Sequence, residues 1–166
     1  MGAGDTLLIF GPMQNEPPSS AYATLDLRNL HPVLDFDDTT DENAVFSAVM
    51  PQHYAEGGIT VYLHYAMTSA ESDNIIWSVA FERIGDQQQD IDSDGFASAQ
   101  SCSATAVPGT SGNVDVISIP FTDGAQIDSI DPGEAFRIKV TRDADNESDT
   151  ATGDAELLAV ELRETS

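Results

Sequence analysis

The sequence predicts an all-β fold, an antiparallel jelly-roll β-sandwich of eight to nine strands with an extended N-terminal arm. Three observations carry that prediction. Apolar residues alternate with polar ones at a period of two, as in Ile59-Thr-Val-Tyr-Leu-His-Tyr65 and Phe136-Arg-Ile-Lys-Val140. Acidic, Gly- and Ser-rich loops separate these segments at short intervals. Helical periodicity is nearly lacking, with single turns expected only at Pro51–Tyr54 and Ala125–Ile130.

The chain divides into an arm, residues 1–22, and a sandwich domain, residues 23–166. In the arm, Gly11-Pro12 and Pro17-Pro18 forbid helix and disfavour a central strand. Leu7, Leu8, Ile9 and Phe10 are its apolar anchors. They either add an edge strand to their own domain or form a subunit interface on a neighbour. Strands are expected at Ala23–Arg28, Pro32–Phe36, Ala44–Met50, Ile59–Met67, Ile75–Ile84, Phe96–Ala106, Val114–Phe121, Ala135–Asp143 and Glu156–Glu164. Along Ile59–Met67 the odd-numbered residues form the apolar face. From Ile75 onward, Ile75, Trp77, Val79 and Phe81 form it. A single apolar face on each strand is what a sheet needs to cover a core.

Composition excludes several functions. The 166 residues suffice for one well-buried domain, and 29 carboxylates against 6 Lys and Arg give a net charge of −23. Such a surface cannot neutralise phosphates, so neither nucleic acid nor an anionic membrane is an expected partner. One cysteine, Cys102, leaves no intrachain disulfide. No apolar run reaches the roughly 20 residues that cross a bilayer, and Met1-Gly-Ala-Gly-Asp5 has no leader pattern, so a soluble protein of cytoplasmic synthesis is expected. Arg83, Arg137, Lys139, Arg142 and Arg163 fall on strands, read as outward members pairing with Glu82, Glu161 and Glu164. Arg28 alone lies near the front.

Motifs for chemistry are sparse. Asp90-Ile-Asp92-Ser-Asp94-Gly95 matches the first half of a calcium loop, but Ser101 stands where a bidentate Glu should close it. Asp90, Asp92 and Asp94 are therefore a weak metal candidate, read as an acidic turn with Gly95 at positive φ. Two further acidic loops, Asp35–Glu42 and Asp143–Asp154, read as solvated turns. Gly109-Thr-Ser-Gly112 is one residue short of a nucleophile elbow. His31, His53 and His64 are dispersed, and Cys102 reads as an inert, partly buried thiol. Tyr54, Tyr62, Tyr65 and Trp77 would stack on a sugar only if exposed together, and Trp77 shares the core-facing parity. No catalytic residues and no cofactor are expected.

Several segments resemble small jelly-roll virion structural proteins of tailed bacteriophages. They are His31-Pro-Val-Leu-Asp-Phe36, Ala44-Val-Phe46, Gly58-Ile-Thr-Val-Tyr-Leu63 and Ile76-Trp-Ser-Val-Ala-Phe-Glu-Arg83. Ala125-Gln-Ile-Asp128, Pro132-Gly-Glu-Ala-Phe-Arg137 and Arg142-Asp-Ala-Asp-Asn146 continue the likeness. It spans about residues 31–163. The resemblance implies a non-enzymatic head decoration (cement) protein on the outer surface of the virion. It implies a homotrimer bound to the major capsid protein. The same class includes receptor- and carbohydrate-binding modules of tails, fibres and baseplates, the alternative that the resemblance leaves open.

Overall fold

The computed structural model describes residues 4–69 and 72–165, and Met1–Ala3 lie outside that range. The fold is an antiparallel β-sandwich of jelly-roll type, as the alternation predicts. Its strands are β1 (Thr6–Phe10), β2 (Thr24–Arg28), β3 (His31–Phe36), β4 (Glu42–Val49), β5 (Ile59–Met67) and β6 (Asn74–Ile75). They continue as β7 (Trp77–Ile84), β8 (Gln100–Ser101), β9 (Thr105–Ala106), β10 (Val114–Phe121), β11 (Ala135–Arg142) and β12 (Ala155–Glu164).

The larger sheet has the order β10-β5-β12-β3-β2, with β1 also on β12; the smaller is β4-β11-β7-β8. Strand β12 is the spine of the larger sheet. One edge pairs with β5, while the other pairs first with β3 and then with β1. A bulge between Leu157 and Ala159 marks the changeover. A bulge inserts one residue and re-aims its side chain. Here that residue is Leu158.

Aromatic pairs join the sheets across the core. Phe36 on β3 meets Trp77 on β7 edge-on at 5.0 Å, and Phe81 on β7 meets Phe121 on β10 at 4.9 Å. Phe10 on β1 lies 5.4 Å from Phe46 on β4. The first two are edge-to-face pairs, which add to area burial because a ring's positive edge meets its neighbour's negative face.

The structure places Leu7 and Phe10 in the core of their own domain. Leu8 is half-buried, and Ile9 points outward at 61% exposure. The four residues do not act as one docking set. Beyond β1 a 3-10 turn, Pro12–Gln14, interrupts the expected extended arm. The arm then runs along the open edge of β4. The Glu16 and Asn43 N–H groups donate to the Val45 and Ala21 carbonyls, and the Val45 N–H donates to Asn15 Oδ1 at 3.0 Å. An edge strand's unpaired amides are thereby satisfied by the chain itself.

Other differences have local causes. The expected strand Ile75–Ile84 breaks at Ile76, because Asn74–Ile75 leaves to pair with β9. Phe96–Ala106 holds only β8 and β9. Phe96 instead sits under two cations of β11, Arg137 at 5.3 Å and Lys139 at 4.9 Å. Gly95 does not take a positive φ.

Candidate binding site

The outer face of the larger sheet carries a cavity of about 260 Å³. The alternation that buries Ile59, Val61 and Leu63 turns Thr60, Tyr62, His64 and Ala66 outward, and register extends that parity across the sheet. Val33, Ala66, Val114 and Leu158 form an apolar floor, and Arg28, His31 and Glu156 form a polar rim. Leu158 reaches the floor because it is the bulge residue of β12.

Local backbone chemistry assembles the rim. Strands β2 and β3 join through Asn29 and Leu30, both at positive φ (47° and 66°), the two-residue turn that matches strand twist. This hairpin sets Arg28 opposite His31. Arg28 Nη1 donates to the Met67 carbonyl at 2.9 Å and to Glu156, while Nη2 donates to Ser111 Oγ at 2.8 Å. Gly112, at φ +79°, presses on the guanidinium, and a Cβ there would lie 3.0 Å from Nη2. The cation is held in place, at about one third side-chain exposure.

A second paired cluster shares this face. Arg163 stacks over Tyr62 at 4.1 Å and donates from Nε and Nη2 to Glu161, each at 2.9 Å. The Thr6 hydroxyl also donates to Glu161 at 2.6 Å, and His64 Nε2 lies 3.6 Å away. The Arg163 hydrogen bonds hold the Glu161 carboxyl down at about 2, against the cost of burial.

A different chemistry occupies the loops. Thr24, Asp35, Asp37, Glu42 and Asp154 line a cavity of about 140 Å³. Burial, then the charges of Asp154, Glu156, Asp26 and Glu42, raise the Asp35 carboxyl to about 6. Burial likewise raises Glu42 and Asp154, whereas the Thr39 hydroxyl lowers Asp37. The two acidic loops read separately from the sequence meet here. Asp37, Asp38 and Asp154 each offer an oxygen within 4.8 Å of one another, as do Asp41, Asp143 and Asp145. Hard oxygen donors of this kind suit a divalent cation. Asp90, Asp92 and Asp94 do not converge in this way; the turn is closed by Asp90, whose carbonyl accepts from the Asp94 N–H at 2.8 Å.

Arg142 corrects the expectation that the strand cations point outward. Its side chain is wholly buried, as is that of Asp149. Of the other expected pairs, Arg137 with Glu82 and Arg163 with Glu161 form, but Glu164 is buried and accepts instead from the Ala55 N–H. Trp77, Tyr65 and Tyr54 are buried, so only Tyr62 of the aromatic set reaches the surface, capped by Arg163. Burial pushes the Cys102 thiol up. The rim residues Arg28 and Glu156 lie 128 positions apart, and the one hint of them in sequence was Arg28 standing away from the other cations.

No protein-family model matches the chain, and no curated protein sequence is similar to it. Solved structures are. The CBM36-1 domain of a multidomain xylanase from the hindgut metagenome of Trinervitermes trinervoides aligns at TM-score 0.50 and 10% identity, over 93% of this chain and 94% of that one. The CBM22-1 xylan-binding domain of Paenibacillus barcinonensis Xyn10C aligns at TM-score 0.50 and 11% identity, over 100% and 99%. The insecticidal delta-endotoxin Cry8Ea1 of Bacillus thuringiensis aligns at TM-score 0.54 and 10% identity, over 96% of this chain but 24% of that one. At these identities the likeness is one of fold.

Proposed function

We propose that the protein is a non-catalytic carbohydrate-binding module whose ligand is a neutral glycan, bound on the outer face of the larger sheet. The observation that carries this reading is the rim in which Arg28 is paired with Glu156 over an apolar floor. Sugars present apolar C–H faces beside hydroxyls that both donate and accept. A floor of Val33, Ala66, Val114 and Leu158 suits the first, and a guanidinium–carboxylate pair suits the second. On a chain of net charge −23, this face carries its cations already neutralised, by Glu156 and by Glu161. An acidic sugar would meet a carboxylate, Glu156 or Glu161, beside each of these cations. Glu161, held ionised far below neutral pH, is unsuited to general-acid work. Full-length likeness to a xylan-binding domain and to a carbohydrate-binding domain of a xylanase supports the same class.

Titration calorimetry with neutral xylan and β-glucan oligosaccharides, beside polygalacturonate, tests the reading. Saturable heat is expected with a neutral glycan and none with the polyanion. Arg28→Ala and Val114→Asp should each weaken binding at least ten-fold, about 1.4 kcal/mol. Silence with every neutral glycan would sink it.

A second reading is a virion decoration protein, a homotrimer on the major capsid protein at the outer head surface. It is supported by the sequence resemblance, whose segments coincide mainly with framework strands and include only His31 and Val33 of the pocket lining. Cryo-electron microscopy of particles tests it, and particles devoid of the chain would remove it.

A further inference from the structure

Strand β2 ends the larger sheet, and Leu25 on its inner side lines a cavity with Pro12, Met13 and Tyr22 of the arm. Leu25 and Leu27 have the inward parity of the hairpin, yet they are 49% and 63% exposed, and Leu30 at the turn is 88% exposed. This is a sheet edge with an uncovered apolar side.

The hydrogen-bonding direction of β2 follows from its partners. Leu27 stands opposite Pro32, which has no N–H, so Arg28, Asp26 and Thr24 occupy the positions that bond β3. Leu25 and Leu27 therefore turn their amides to the open edge. There the Leu27 N–H donates to the side chain of the preceding Asp26 at 2.7 Å, an exposed local contact that an incoming strand would replace.

We propose that a second copy of this chain docks on β2, antiparallel, with Leu27 of each copy opposite the other across a two-fold axis. Charge selects this register. Centring the pair on Asp26 would oppose like carboxylates at the closest spacing. Centring it on Leu27 sets Asp26 of each copy against Arg28 of the other, giving two ion pairs on the outer face and an apolar contact on the inner one. Arg28 Nε makes no hydrogen bond among the described residues, whereas both Nη atoms do. It can take the incoming carboxylate without releasing Glu156. The chain's overall negative charge opposes association through exposed groups, and physiological salt largely screens those more than ~8 Å apart. The edge itself is balanced.

The two-fold axis of an antiparallel pair is perpendicular to the sheet. Both six-stranded sheets join into one, and both pockets open on the same side. Granting the glycan-binding reading above, the dimer is bivalent towards a polysaccharide that spans both pockets.

Analytical ultracentrifugation of the full chain, without glycan, tests the dimer. Wild type should sediment at twice the 17.7 kDa chain mass. Leu27→Pro removes the edge amide, and Asp26→Arg opposes two cations; both should sediment as monomers with unchanged circular dichroism. In a Cys102→Ser background, Leu27→Cys should form a disulfide-linked dimer on oxidation, and Leu25→Cys should not. Monomeric wild type at every concentration, a trimer, or cross-linking at Leu25 instead would overturn the proposal. A dimer that binds no glycan would leave this interface standing and remove only the functional reading.

Discussion

Two guanidinium–carboxylate pairs in this protein use the same chemistry to opposite ends. At the loop end, Arg142 spends all five N–H donors. They reach Asp149 twice, at 3.0 and 3.3 Å, and the carbonyls of Gly153 and Ala151 at 2.7 Å and Phe36 at 3.5 Å. Neither Arg142 nor Asp149 exposes its side chain. On the outer face of the larger sheet, Arg28 and Glu156 sit at a cavity mouth, where part of the guanidinium stays in contact with solvent. A sealed pair holds loops to the fold. An open, pinned pair leaves polarity at the surface for a ligand. Burial is what separates the two roles.

The sharpest way to break that contrast is Arg142→Ala. It strands Asp149 in a dry site and leaves three carbonyls without their donor, so about 3–5 kcal/mol of stability should be lost. Urea unfolding followed by Trp77 fluorescence measures this. A loss below about 1 kcal/mol, the range of exposed pairs, would erase the distinction.

Gly112→Ala should come next. The residue sits at φ +79°, and the new methyl meets Arg28 Nη2 at 3.0 Å. A left-handed alanine costs roughly 1–2 kcal/mol, and displacement of the guanidinium should lower glycan affinity in parallel. Thermal melts and calorimetry on one preparation would reveal whether the two losses travel together.

Arg28→Ala should cost about 1–2 kcal/mol, less than Arg142→Ala because water reaches the one-third-exposed cationic side, although Glu156, at 6% side-chain exposure, loses its cation. The variant is thus expected to stay folded with a modestly lower melting temperature and to lose its ligand. Loss of fold instead would make Arg28 a second Arg142.

A pH-dependent effect concerns Asp35, whose carboxyl moves from 3.8 to about 6. A raised carboxyl favours the protonated folded state, so its contribution is unfavourable once both states are ionised. Stability from this group should fall as pH rises from about 4 to about 6 and stay low above that. Asp35→Asn should melt higher than wild type at pH 7 and no higher at pH 4. Equal shifts at both pH values would show that Asp35 ionisation is not the cause.

Much of the frame is legible in the residues themselves. Period-two alternation suffices for Ile59–Met67, Val114–Phe121 and Ala135–Arg142, because side-chain direction along a strand is a local property. It assigns Trp77 to the core for the same reason. The site is less legible. Glu156 carries no mark that distinguishes it from the other carboxylates, and its meeting with Arg28 depends on β3 lying between β2 and β12. Parity also separates two arginines of β11: Arg142 follows Phe136, Ile138 and Val140 on the core-facing side and is wholly buried, whereas Arg137 has the opposite parity and pairs with Glu82 on the outer face.

What the sequence alone determined was therefore the strand plan, the core-facing residues and the surplus of negative charge, each readable from near neighbours in the chain. Tertiary structure decided which sheet received Thr6–Phe10, where β12 bulged to aim Leu158, and which carboxylate met Arg28. Those outcomes rest on contacts between residues far apart in sequence. Pairing partners and desolvation are properties of the assembled sandwich, and no local pattern encodes them.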